Sequence, residues 1–208
     1  MEAILDLYEL PYDPCNPLVC FDETSKQLII EKCMHLQMKP GRVERYDYEY
    51  KRNGVRNLFL FFEPLAGYRH LKVTESRTMP DFAHCMRWLV EEAYPHANRI
   101  HVVLDNLNTH KPASLYVTFP PEEANRILKR IVFHYTPKHG SWLNMAEIEF
   151  SVFSRLCLGQ RIPDQQTLVQ EVKALEDERN AKQASINWSF TSANARVKLH
   201  RLYPSISV

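Results

Sequence analysis

The sequence predicts an α/β fold: a mixed five-stranded sheet, three antiparallel strands followed by parallel additions, flanked by helices. Three observations lead there. The first half holds short runs of β-branched and aromatic residues separated by turn signals. The second half alternates such runs with segments of helical period. The chain of 208 residues is long enough for one domain, and at this size roughly 70% of the unfolded surface is buried, so the core needs no covalent staples.

Residues 1–17 carry Pro11, Pro14 and Pro17 among Tyr, Asp and Asn, a density that stops a helix and reads as an extended lead-in or linker. The remainder, 18–208, reads as a single domain. Residues 18–22 (LVCFD) form a short buried strand. Residues 43–50 (VERYDYEY) interleave tyrosines with charges, as a half-exposed strand does. Asn53-Gly54 then marks a tight hairpin, with 56–63 (RNLFLFFE) as the partner strand and 68–74 (YRHLKVT) extending the meander at its edge.

Pro80-Asp81 opens a helix to Ala93, with Phe82, Cys85, Met86, Leu89 and Val90 at helical spacing and Pro95 beyond. Residues 99–104 (RIHVVL) are the clearest strand and stop at Asp105. Helical segments follow at 112–117 and 122–129, interrupted by Pro120 and Pro121. Residues 131–135 (IVFHY) are the last strand. Helices are expected at 143–158, closed by Gly159, at 165–182, and at 192–202, stopped by Pro204. This order matches the ribonuclease-H-like architecture, in which acidic residues of the first and fourth strands meet near a helix.

Composition sets bounds. The five cysteines (Cys15, Cys20, Cys33, Cys85, Cys157) are scattered and form no CxxC pair, which supports neither a disulfide framework nor a zinc ribbon. The acidic start, MEAILDLYEL, is no secretory signal, and the longest apolar run, Leu58 to Phe62, is far short of a membrane span, so a cytoplasmic protein is expected. A net charge of +1 argues against a strongly DNA-binding surface, because phosphate contacts need lysine and arginine. Three local clusters soften that objection: Lys39, Arg42, Arg45, Lys51, Arg52 and Arg56; Arg126, Lys129, Arg130, Lys138 and His139; and Arg196, Lys198, His200 and Arg201.

Three carboxylates carry the chemistry. Asp22 and Asp105 each end an apolar run, and Glu147 lies in the helix after the last strand. A carboxylate at a buried strand end is costly unless a cation compensates it. Two Mg2+ or Mn2+ ions are the usual compensation in phosphodiester cleavage, one activating the attacking hydroxyl or water and the other stabilising the departing 3′ oxygen. Asp22 is preferred to Glu23, which points to the opposite face. Glu147 is preferred to Glu149 because it borders the polar stripe of Asn144, Ser151 and Ser154 at the edge of the apolar arc. His110 and His139 are candidate phosphate contacts. Lys138 would also touch phosphate, and Trp142 would stack on a base or plug the core. No Gly-rich phosphate cradle, GxSxG elbow or HExxH is present, so nucleotide hydrolysis, serine catalysis and zinc proteolysis lack support.

The strings VCFDETSKQL, VVLDNLNTH and FHYTPKHGSWLNMAEIEFSVFSR, with INWSFTSANARVKLHRLYP at the end, resemble the catalytic domain of DDE transposases of bacterial insertion sequences related to the mariner superfamily. By that resemblance Asp22, Asp105 and Glu147 are the metal-binding triad. It further implies magnesium or manganese, DNA cleavage at element ends with strand transfer into a target, commonly a TA dinucleotide, and a homodimer holding two ends. Complete members carry helix-turn-helix DNA-binding domains ahead of the catalytic core, so this chain is expected to be either a catalytic fragment or a shortened reading frame whose other part is encoded separately. Two alternatives stand beside an active transposase: a non-catalytic fragment that assembles with or inhibits the full-length enzyme, and a structure-selective nuclease of the same fold, such as a ribonuclease or junction resolvase.

Overall fold

The computed structural model describes residues 1–32, 40–41 and 49–203. Five strands form one sheet: β1 (Leu18–Glu31), β2 (Tyr50–Glu63), β3 (Tyr68–Thr74), β4 (Ile100–Leu104) and β5 (Ile131–Tyr135), in the order β3-β2-β1-β4-β5. The β1–β2 and β2–β3 pairs are antiparallel, whereas β1–β4 and β4–β5 are parallel. The mixed five-stranded sheet, three antiparallel strands followed by parallel additions, is as predicted.

Both faces of the sheet are covered, which is why its central strands read as continuous apolar runs. Side chains alternate between the faces. Val19, Phe21, Phe59 and Phe61 enter one core, under α2 (Met79–Trp88, continued by a wider turn at Leu89–Ala93), α3 (Ala113–Thr118) and α4 (Pro121–Leu128). Cys20, Leu58, Leu60 and Phe62 enter the other, under α5 (Met145–Phe153, extended by a wider turn at Ser154–Leu158) and α6 (Gln165–Ala181), and closed by α7 (Ser192–Lys198). Aspartate 81 starts α2 by accepting the Thr78 N–H at 2.7 Å, with Pro80 in the first turn where its missing N–H is not needed.

Three expectations are corrected. The lead-in is not extended throughout: Glu2–Tyr8 is a helix, α1, which buries Ile4, Leu5, Leu7 and Tyr8 in the second core. The proline argument holds only from Pro11 onward, and the helix ends before it. Tyr8 hydroxyl donates to the Leu143 carbonyl at 2.6 Å, so this segment braces the entrance of α5.

The first strand does not stop at Asp22 but runs on to Glu31. Asp22 instead sits just beyond the stretch, Leu18 to Cys20, that pairs with β4.

Nor does Asn53-Gly54 turn a hairpin. β2 passes straight through it to stay paired with the longer β1, and Gly54, at φ +86°, lies in a bulge opposite the register shift between Gln27 and Ile29. The positive φ that made the pair look like a turn serves the bulge. Of the strand expected at 43–50, residues 43–48 lie outside the described residues, and Tyr50 opens β2.

Candidate functional site

The crevice forms where the parallel strands end. β4 stops at Leu104 and Asp105 follows at once. The side chain of Asp105 is one-third exposed. Asp22, on the neighbouring β1, is half-buried on the α5 side of the sheet, and its Oδ1 accepts the Glu23 N–H at 2.8 Å.

Glu147 occupies the first turn of α5 and is exposed. Its place is set by Asn144, which is 2% exposed. The Asn144 side-chain oxygen accepts the Ala146 N–H at 3.2 Å, capping α5, while its amide donates to the Phe21 carbonyl at 2.8 Å. One buried amide therefore pins the start of the helix carrying Glu147 to the strand residue before Asp22.

The Asn-x-x-Glu spacing resembles a capping box, in which the glutamate would be spent on the cap residue's own N–H. Here that N–H donates to the Ser141 carbonyl at 2.7 Å, and the Glu147 carboxylate has no hydrogen bond among the described residues. The sequence reading placed Asn144 only in the polar stripe and missed that it caps α5; the capping spacing was the signal.

The three carboxylates feel one another. Burial pushes the Asp22 carboxyl up to about 7, and the charges of Glu23, Asp105 and Glu147 push the same way against the single backbone hydrogen bond. Hard oxygen donors around a half-buried acid are the chemistry that suits a small divalent cation, so the residue types fit. As they stand, no three His, Cys, Asp or Glu side chains among the described residues meet closely enough to share one ion.

Glu149 is settled differently. It is fully buried and takes both guanidinium nitrogens of Arg179, at 2.7 and 2.8 Å, with Arg69 Nε at 2.9 Å. Arg69 is itself fully buried, and burial lowers its pKa. With both oxygens committed, Glu149 has nothing to offer a metal, which leaves Glu147 as the acidic group of α5 facing the crevice. Glu149 nonetheless sits in a buried ion network, so a tolerant, surface-like position is not what the fold makes of it.

His110 was expected on phosphate, and its environment contradicts this. It is 1% exposed, with Nδ1 2.5 Å from Asp105 Oδ1 and Nε2 2.8 Å from Glu23 Oε2, leaving no nitrogen free. Burial opposes its charge, but the bonds to the two carboxylates outweigh burial and carry its pKa up to about 9.

Lys138 and His139 lie exposed in the turn between β5 and α5, His139 at φ +62°. Gly140 closes that turn: a Cβ there would come within 2.6 Å of Pro137. Trp142 is neither plug nor isolated plate. It is 41% exposed, stacked on Trp188 at 6.4 Å and edge-on to Phe190 at 5.7 Å.

The basic clusters are partly structural. Arg130 donates to the Tyr94 and Ala97 carbonyls, Arg126 pairs with Glu91, Arg196 with Glu2, and Arg56 binds Gln165. Lys51, Arg52 and Lys129 are exposed, and Lys39, Arg42 and Arg45 lie outside the described residues.

A mixed sheet in this order, helices on both faces, and acidic residues beside two central strands and on the helix after the fifth define a ribonuclease-H-like fold. Residues 17–169, well over half the chain, match the family described as DDE superfamily endonuclease, and the chain belongs to it. Among solved structures it is similar to the Mos1 mariner paired end complex with Mn, at 16% identity and a TM-score of 0.53, covering 88% of this chain and 55% of that one. It is similarly close to a pre-cleavage Mos1 transpososome, at 14% identity and a TM-score of 0.54, covering 88% of this chain and 59% of that one. The chain thus spans a little over half the length of these relatives. No curated protein matches it. Among the described residues no helix is long and apolar enough to cross a membrane.

Proposed function

We propose that this chain is the catalytic core of a DNA transposase, cutting DNA at the ends of a mobile element and joining them to a target. The observation that carries the reading is the half-buried Asp22, whose carboxyl burial pushes up to about 7, with the charges of Glu23, Asp105 and Glu147 adding to it. Family membership and the fold shared with the Mos1 assemblies support it.

In this reading Asp22, Asp105 and Glu147 hold magnesium or manganese, two ions in the working site. Bound there, the metal supplies an activated oxygen nucleophile and charge stabilisation on the leaving oxygen. The chain's own residues do the rest. β1 and β4 fix the two aspartates on rigid backbone, and Asn144 sets the helix that presents Glu147. Lys138 and His139 reach backbone phosphate, and the exposed face of Trp142 takes a base. The working form is a dimer on paired DNA ends, with a helix-turn-helix part reading the end sequence.

The deciding experiment incubates the purified chain with linear DNA and manganese beside an Asp105→Ala control. Nicking by the wild type alone supports the reading; equal nicking by both, or none by either, refutes it. The alternative to that reading is a non-catalytic assembly or inhibitory module. It is supported instead if wild type does not cleave but suppresses cleavage by a full-length transposase. Preference for RNA–DNA hybrids or four-way junctions in the same assay would point to a structure-selective nuclease.

A further inference from the structure

We propose that His110 is a positioning residue: backed by Glu23, it holds the Asp105 carboxylate in one orientation and thereby sets the strength with which Asp105 grips a divalent cation. The proposal rests on the reading of Asp105 as a ligand and adds a layer behind it.

The geometry is that of a braced contact. Nδ1 of His110 bonds Asp105 Oδ1 at 2.5 Å, and Nε2 lies at ion-pair distance, 2.8 Å, from Glu23 Oε2, a buried oxygen with no aligned hydrogen bond among the described residues. The ring cannot swing away. It lies 5.4 Å from the Phe21 ring, edge-on, and 5.0 Å from the Phe82 ring. Its backbone is tied by Tyr135, whose hydroxyl donates to the His110 carbonyl at 2.8 Å, and the loop before it by Ser114, which donates to the Thr109 carbonyl at 2.7 Å.

Strand alternation explains the pairing. Asp22 faces the crevice, so Glu23, one residue on, faces the opposite core and meets the histidine from behind. A single strand thus supplies one ligand directly and steadies a second through His110. A buried carboxylate such as Glu23, whose side chain is 4% exposed, is costly without a polar neighbour, and His110 Nε2 lies 2.8 Å away. Asp105 Oδ1 is thereby committed, while Oδ2 has no hydrogen bond among the described residues and is left for the metal. Groups that orient a metal ligand from outside typically change metal affinity or activity by roughly 10–100-fold when removed.

The test measures manganese binding to the full chain by calorimetry, without DNA, so that it does not depend on cleavage. His110→Phe keeps the ring packing and loses both contacts; it should bind manganese roughly 10–100-fold more weakly. His110→Gln, which retains a donor, should lose less, and Glu23→Gln should fall between wild type and His110→Phe. Cleavage by the variants should recover toward the wild-type rate at saturating manganese, a response that loss of packing alone does not produce. Wild-type manganese affinity in folded His110→Phe overturns the proposal. If that variant does not fold, unchanged affinity in Glu23→Gln overturns it equally. Identical, negligible binding by wild type and Asp105→Ala would instead remove Asp105 as a ligand, and the proposal with it.

Discussion

Replacing Asp22 with asparagine should abolish cleavage while making the metal-free protein more stable. The Asp22 carboxyl titrates at about 7 in the fold, against 3.8 for the unperturbed group. Each unit of difference corresponds to about 1.4 kcal/mol, so the ionised side chain costs the folded state at most about 4 kcal/mol. Partial exposure and local relaxation reduce this, and about 2 kcal/mol is the working figure.

The sign follows from proton linkage. Between pH 3.8 and about 7 the folded chain keeps a proton that the unfolded chain has lost. Stability therefore falls as pH rises through that window and then levels off. Asparagine keeps the oxygen that accepts the Glu23 N–H and never ionises. For a chain of this size, about 2 kcal/mol corresponds to a gain of roughly 4–8 °C in Tm. Calorimetric melting in chelator should show that gain at about pH 8 and little of it at about pH 4. Added manganese should narrow the gap by stabilising wild type alone. A variant no more stable than wild type at pH 8, or one whose advantage is the same at both pH values, would refute the argument that Asp22 is held ionised at a cost.

The two glutamates of α5 should separate cleanly. Glu147→Gln should leave the unfolding free energy within about 0.5 kcal/mol of wild type and eliminate nicking, since the side chain is exposed and has no hydrogen bond among the described residues. Glu149→Gln strands buried Arg69 and should cost about 3–5 kcal/mol in urea unfolding, with any loss of activity following the loss of fold. Phe21→Ala should cost about 3–5 kcal/mol, because the ring is fully buried among Phe59, Phe61 and Phe82. Trp142→Ala should weaken single-stranded DNA binding by about 1–3 kcal/mol at fixed salt while leaving manganese affinity unchanged; equal DNA affinity would assign the ring to packing on Trp188.

What the sequence determined by itself was whatever depends on neighbours along the chain. Short runs of β-branched and aromatic residues placed β4 and β5, helical spacing and Pro80 placed α2, and the abrupt end of an apolar run marked Asp105. Those patterns were sufficient for the sheet class and for choosing Asp22, Asp105 and Glu147 as the candidate triad. Tertiary structure decided what depends on a partner far away. β1 and β2 run long because each satisfies the other's backbone groups, which turned the Asn53-Gly54 signal from a hairpin into a bulge. Residues 2–8 fold as a helix because α5 and α7 offer their apolar face somewhere to go. Along the chain Glu149 read as the rival of Glu147 and His110 as a phosphate contact; the fold instead pairs Glu149 with Arg69 and Arg179, and His110 with Glu23 and Asp105. A charge enters the interior only with its counter-charge, and the counter-charge is brought by the fold.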